Sequence, residues 1–115
     1  TRACLPLLRQ APDASVVFTG ETHGHQPSAY WGGYAVAKSG LETLTRIWAD
    51  ELSVDENLRI NTLIPGQVAT TLRSRTHPGL APETIPGVDD LMPWYLYLMG
   101  LDSRTVRGQI VECQA

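Results

Sequence analysis

The sequence predicts an α/β protein built on a parallel sheet of the doubly wound type. Three short runs rich in β-branched residues alternate with three segments whose apolar residues recur every three or four positions. Strands that are separated by helices pair in parallel through right-handed crossovers. The predicted order is therefore helix, strand, helix, strand, helix, strand, which is typical of a doubly wound sheet.

The first helix is predicted over Thr1 to Gln10, although Pro6 lies within it. The run from Ser15 to Thr19 is β-branched and aromatic, which predicts a buried strand. Residues 20–33 are rich in glycine and contain a proline, so they are predicted to form a loop.

A long amphipathic helix is predicted over Tyr34 to Leu52. Its apolar stripe consists of Leu41, Leu44, Trp48 and Leu52. The next run, Leu58 to Ile64, alternates in part between apolar and polar residues, and Pro65-Gly66 stops it. This pattern predicts the second strand.

Residues 67–87 have little pattern and predict a long loop, with a short helix near Thr71 to Arg75. Val88 to Leu101 is predicted to form the third helix. Its apolar face consists of Leu91, Tyr95, Leu98 and Met99. Gly108 to Cys113 predicts the last strand.

Composition narrows the class of protein. Of the 115 residues, 43% are hydrophobic, which is too apolar for a disordered chain. The net charge of −3 argues against a nucleic-acid or acidic-membrane partner, and the apolar runs are too short to span a bilayer. Cys4 and Cys113 are expected to be buried free thiols. Together these features predict a cytoplasmic protein.

Ligands of open α/β sheets bind beyond the carboxyl ends of the strands, near the start of the following helix. In this sequence that helix begins with Tyr34-Ala35-Val36-Ala37-Lys38. The spacing of four puts Tyr34 and Lys38 on one helical face. An ammonium nearby lowers the pKa of a phenol, so the pair could exchange a proton with a carbonyl or an alcohol. Without further context, the same spacing fits a half-buried tyrosine beside a solvated lysine.

Three ordered motifs supply that context. They are Val16-Val17-Phe18-Thr19 before a glycine-bearing loop, Tyr34 to Gly40, and Leu58 to Gly66 with its Asn61 and Pro65-Gly66. With the closing Gly108 to Val111, they resemble the short-chain dehydrogenase/reductase family over nearly the whole chain. The resemblance implies the C-terminal half of a single Rossmann-type domain spanning residues 1–115.

The resemblance also implies roles for particular residues. Tyr34 would be the general acid/base, and Lys38 would hold the nicotinamide ribose and lower the pKa of Tyr34. Four more residues would contact the cofactor, NADP or NAD: Pro65, Gly66, Val68 and Thr70. The first helix and the helix over Tyr34 to Leu52 match the family's dimer bundle, so we expect a homodimer or homotetramer. The glycine-rich cofactor loop is expected before Thr1, so the sequence does not choose between NAD and NADP.

One family position departs from the pattern. The family places a serine about thirteen residues before the tyrosine, and here that residue is Glu21. Either Thr22 supplies the hydroxyl, or Glu21 has another role, or the usual activity is lost. We expect Glu21 to point away from the cleft and Thr22 to face it.

Other residues allow more than one interpretation. His23 and His25 could line a substrate cleft, whereas a metal site lacks a third ligand. Trp31 could wall the pocket or pack in the core, and His77 is expected to be exposed. Two functions remain open: an oxidoreductase acting on a small carbonyl or secondary alcohol, or a non-catalytic nucleotide-binding or scaffold relative.

Overall fold

The computed structural model describes residues 1–76, 78–79 and 85–114. Three strands form one sheet: β1 (Ala14–Thr19), β2 (Leu58–Ile64) and β3 (Ile110–Glu112). Their order is β1-β2-β3, and both pairings are parallel. The predicted α/β class and the parallel sheet are therefore confirmed. His77 and part of the predicted long loop lie outside the described residues.

The described helices lie between and beside the strands. They are α1 (Leu5–Gln10), α2 (Thr22–His25), α3 (Gly32–Glu51), α4 (Thr71–Thr76) and α5 (Met92–Met99). Short 3-10 turns flank α1 and α5: Arg2–Cys4, Val88–Leu91 and Leu101–Ser103. None of the helices in the described ranges is long and apolar enough to cross a membrane.

The middle strand, β2, is buried at all seven of its positions. The partial alternation in its sequence does not produce one exposed face, because helices cover both. Thr62 faces α3, where its hydroxyl lies 2.6 Å from that of Thr45. Arg59, of opposite parity along the strand, reaches across to the Gly100 carbonyl just after α5.

Polar side chains of β2 fix the neighbouring segments. The buried Arg59 guanidinium donates to the Asp13 carboxylate in addition to Gly100. The buried Asn61 amide donates to the Val106 carbonyl at 2.9 Å and accepts from the Gln109 amide at 3.0 Å. These bonds set where β3 begins, because Gln109 directly precedes it.

Several predicted elements differ from the structure. The 20–33 loop contains α2, because the Glu21 side chain caps a short turn of helix there. The predicted helix over Val88 to Leu101 is three segments: Pro93 lies in the first turn of α5, and the extended backbone of Gly100 ends it. On α5, Leu98 is buried, whereas Met99 is 59% exposed, so its predicted place on the buried face is wrong.

The buried face of α3 also differs from the predicted stripe. Its buried residues are Ala35, Glu42 and Thr45, while the four predicted stripe residues are only half-buried. Trp48 does reach the sheet, with its ring centroid 5.9 Å from that of Phe18. The predicted burial of the cysteines is wrong for Cys4, which is exposed on the 3-10 turn before α1.

The hydroxyl pair between α3 and β2 gives a stability prediction. Thr45→Val keeps the side-chain shape but leaves the buried Thr62 hydroxyl without this partner, so we expect unfolding free energy to fall by about 1–3 kcal/mol. Thr43→Val removes an exposed hydroxyl from the same helix and should change it by less than about 0.5 kcal/mol. Urea unfolding of both variants of the full-length protein measures the difference; equal losses would contradict the assignment.

Candidate active site

The carboxyl ends of the three strands lie at one edge of the sheet, because all three strands are parallel. β1 ends at Thr19 and β2 ends at Ile64, whose partner in β3 is Glu112. The turn α2 and the start of α3 follow β1. The sheet therefore brings the residues after β1 and after β2 to a common edge, as predicted.

Tyr34 and Lys38 lie one turn apart in the first part of α3. The Lys38 ammonium is 6.0 Å from the centroid of the Tyr34 ring and donates a hydrogen bond of 3.3 Å to the Thr19 carbonyl. Tyr34 is 45% exposed, so its hydroxyl-bearing ring remains reachable from solvent. The end of β1 thus fixes the lysine beside the tyrosine.

Thr19 connects this edge to α5. Its hydroxyl lies 2.9 Å from the hydroxyl of Tyr95, and either group can donate. The sequence placed Tyr95 on the apolar face of its helix and left open whether it also lines the pocket, and no local pattern predicts this contact. Thr19 therefore contacts Tyr95 through its hydroxyl and Lys38 through its carbonyl.

Glu21 is bound to its own turn. Its carboxylate accepts from the His23 backbone amide at 2.6 Å and lies 3.0 Å from His23 Nδ1. An acidic N-cap is favourable because it satisfies an otherwise unpaired amide at the helix start. Thr22, the first residue of α2, is half-buried beside it.

A row of rings leads from this turn to the tyrosine. The His23 ring stacks on Trp31, with centroids 4.1 Å apart and an interplanar angle of 15°. The Trp31 ring is tilted by 54° against the Tyr34 ring at 5.8 Å. Trp31 therefore packs against both His23 and Tyr34. Tyr30, in contrast, is fully exposed, with a left-handed backbone φ of 71°.

The pKa of Tyr34 is raised from its ordinary value, which corrects the predicted lowering by Lys38. Partial burial is the larger cause, and the charge of the nearby Glu21 carboxylate adds to it. The Lys38 ammonium, bonded to the Thr19 carbonyl, does not reverse this direction. Without other groups bound, Tyr34 is therefore a neutral phenol at physiological pH.

The segment after β2 is held by Gln114, which follows β3. The Gln114 side-chain amide donates to the carbonyls of Pro65 and Gln67, at 2.7 and 2.9 Å. Gly66 between them has a φ of 80°, a conformation that favours glycine.

Farther along this segment, Val68 is buried, and the Thr70 hydroxyl accepts from the Arg73 amide at the start of α4. Val68 and Thr70 therefore lie in the hydrogen-bonded segment that begins at the carboxyl end of β2.

Two cavities lie elsewhere on the described surface. One of about 410 Å³ lies along β1 between the Cys4 turn, α1 and α5, and one of about 320 Å³ lies between the N-terminus and Trp48 of α3. Neither is lined by Tyr34 or Lys38. Among the described residues, no group of three histidine, cysteine or acidic side chains could hold a metal ion.

Sequence comparison relates this chain to known proteins. Residues 1–80 match the family described as short chain dehydrogenase. The oxidoreductase YciK of Escherichia coli K12 is 39% identical over 114 residues, which are 99% of this chain and 44% of that protein. The chain spans less than half the length of this relative.

Solved structures agree with the sequence match. A short chain dehydrogenase from Salmonella enterica serovar Typhi CT18 has a TM-score of 0.94 at 38% identity, covering 99% of this chain and 46% of that one. A short chain dehydrogenase from Escherichia coli CFT073, in complex with NADPH, has a TM-score of 0.92 at 39% identity, covering 99% and 47%.

The electrostatics of Tyr34 can be tested directly. Glu21→Gln should lower the pKa of Tyr34 toward its ordinary value without reaching it, because the larger effect of burial remains. Ultraviolet titration of tyrosinate in the cofactor-free protein, with a Tyr34→Phe variant to assign the signal, measures the shift. Glu56→Gln removes an exposed charge at the other end of β2 and should have no effect. An unchanged titration in Glu21→Gln would mean that this carboxylate does not act on Tyr34.

Proposed function

The chain belongs to the short-chain dehydrogenase family, and from that premise we propose that its protein is an NAD(P)-dependent oxidoreductase interconverting a carbonyl and a secondary alcohol. The observation that supports this most is the pair on α3: Tyr34 and Lys38 share one face at the carboxyl edge, with Lys38 bonded to the Thr19 carbonyl. We further propose that the chain is the second half of a single Rossmann-type domain, in a homodimer or homotetramer.

Tyr34 would exchange the proton. In reduction its hydroxyl proton passes to the substrate carbonyl oxygen, and in oxidation the phenolate takes the proton of the alcohol. The raised pKa keeps Tyr34 protonated at physiological pH, which is the form that donates a proton to a carbonyl.

The side chains at this edge fit a nicotinamide dinucleotide, which when bound supplies hydride chemistry. The ammonium of Lys38 has three donors, one of which is used on the Thr19 carbonyl, so it can also donate to ribose hydroxyls. Pro65, Gly66, Val68 and Thr70 would lie along the nicotinamide side. NADPH in the Escherichia coli CFT073 relative supports NADP as the cofactor.

A second candidate is a non-catalytic relative that keeps Tyr34 and Lys38 as structure. The observation that favours it is the Glu21 carboxylate, whose charge opposes ionisation of Tyr34. An ionised carboxylate also cannot donate a hydrogen bond to a substrate carbonyl. Turnover of NADPH by the full-length protein against ketones and aldehydes separates the two candidates.

The proton role of Tyr34 predicts a specific kinetic loss. In the full-length protein, Tyr34→Phe should lower kcat by about 100- to 10,000-fold while cofactor affinity stays nearly unchanged, because only the transferable proton is removed. Lys38→Ala should weaken both. Tyr97→Phe, on the exposed side of α5, is the matched control and should keep wild-type kinetics. Wild-type kcat in Tyr34→Phe would show that the proton comes from another group.

The position of the missing serine gives a further prediction. If Thr22 supplies the hydroxyl that meets the substrate carbonyl, Thr22→Val should lower kcat/KM by about 100-fold or more, as the loss of one such donor does in other enzymes. Glu21→Ser should not, because Glu21 is bonded to His23. Steady-state kinetics of both variants decides. Reductase activity that appears only in Glu21→Ser would favour the non-catalytic candidate.

A further inference from the structure

His25, at the end of α2, lies between two carboxylates. Its Nδ1 is 3.2 Å from Oε2 of Glu42 on α3, and its Nε2 is 3.0 Å from Oε1 of Glu112 at the end of β3. One imidazole thus connects three elements at the edge of the sheet where Tyr34 and Lys38 lie. Nothing in the proposed chemistry uses this histidine.

The chemistry of the three groups defines the protonation that fits them. An ionised carboxylate only accepts hydrogen bonds, so each ring nitrogen facing one must carry a proton. An imidazolium ring therefore suits both contacts: a hydrogen bond to Glu42 and an ion pair with Glu112. A neutral ring has a single N–H and can donate to only one of the two carboxylates.

Glu42 depends on this partner. Its side chain is 7% exposed, and its Oε1 is buried with no hydrogen-bond partner among the described residues. A buried carboxylate without a partner is costly, and the paired cation offsets that cost. His25 Nδ1 forms a hydrogen bond of 3.2 Å with the other oxygen, Oε2, of this carboxylate.

The turn that carries His25 is closely packed on α3. A Cβ on Gly24 would lie 2.6 Å from the Cβ of Lys38 and 2.8 Å from its backbone carbon, so this glycine permits direct contact with the lysine's own helical turn. Glu21 caps the other end of α2. A shift of α2 therefore moves Glu21 and Thr22 relative to Lys38.

We propose that His25 is a positioning residue: its imidazolium, held by Glu42 and Glu112, fixes α2 on α3 and so sets where Thr22 and Glu21 stand beside Tyr34. The role in catalysis rests on the proposed oxidoreductase function. The clamp, by which we mean the contacts of His25 with Glu42 and Glu112, does not. Loss of either contact releases one of the two carboxylates and loosens α2.

The charged groups on the elements around His25 either face it or are bonded to another group. On α2 and its cap, Glu21 and His23 are paired with each other. On α3, Glu42 faces His25, while the ammonium of Lys38 is bonded to the Thr19 carbonyl. From β3, Glu112 faces it.

Hydrogen exchange tests the clamp without reference to turnover. The amides of residues 23–26 are bonded within the turn and to the Glu21 side chain. In the full-length protein, His25→Gln and Glu112→Gln should each lower their protection about tenfold, because each removes at least the charged contact between His25 and Glu112. Arg9→Gln breaks an exposed ion pair with Asp55, outside this cluster, and is the matched control, expected to leave these amides unchanged. Unchanged protection in both His25→Gln and Glu112→Gln would overturn the clamp.

Kinetics then tests positioning. His25→Gln should lower kcat for carbonyl reduction by about 10- to 100-fold, the cost of a misplaced group, with the KM for NADPH changed by less than about twofold. Faster exchange with unchanged kcat would reduce His25 to structural support and overturn the positioning role. If the wild type turns over no carbonyl, the proposed function fails, and the exchange data alone decide the clamp.

Discussion

The structure depends on the burial of three polar side chains in its central strand. Arg59, Asn61 and Thr62 are almost completely inaccessible, and a buried polar group is stable only when it is hydrogen-bonded. Each finds its partner in a different part of the chain: the segments before β1 and after α5, the segment before β3, and α3. The register of these neighbours is therefore set by hydrogen bonds as well as by apolar packing. These hydrogen bonds hold the sheet together with α3, the helix that carries Tyr34 and Lys38.

At that edge a carboxylate and an ammonium both lie near one phenol. Partial burial and the Glu21 carboxylate raise the pKa of Tyr34, even though the Lys38 ammonium is 6.0 Å from the centroid of its ring. The His23 imidazole beside Glu21 is the group that can moderate this balance, because it lies 3.0 Å from the carboxylate. The aromatic row from His23 through Trp31 makes the geometry of Tyr34 sensitive to the same turn.

Much of the fold was accessible from the sequence because its signals are local. The bounds of β2 were predicted as observed, because apolar residues recur from Leu58 to Ile64 and Pro65-Gly66 ends the strand. The α2 turn was missed because its stability comes from the Glu21 cap and from contact with Lys38, which no local pattern displays. Glu42 and Thr45 were missed on the buried face of α3 for a related reason: their burial is made possible by partners distant in sequence, His25 and Thr62.

Gly108 shows how such contacts restrict the sequences that this fold can explore. Its φ of 64° is a conformation that side-chain-bearing residues rarely adopt, and its amide donates to the Ile60 carbonyl. A Cβ there would also lie 2.9 Å from the Cβ of Ala49. The two penalties are independent, so shortening residue 49 to glycine would remove the clash and leave the backbone strain. A side chain at position 108 therefore meets two separate penalties, and no single substitution elsewhere removes both.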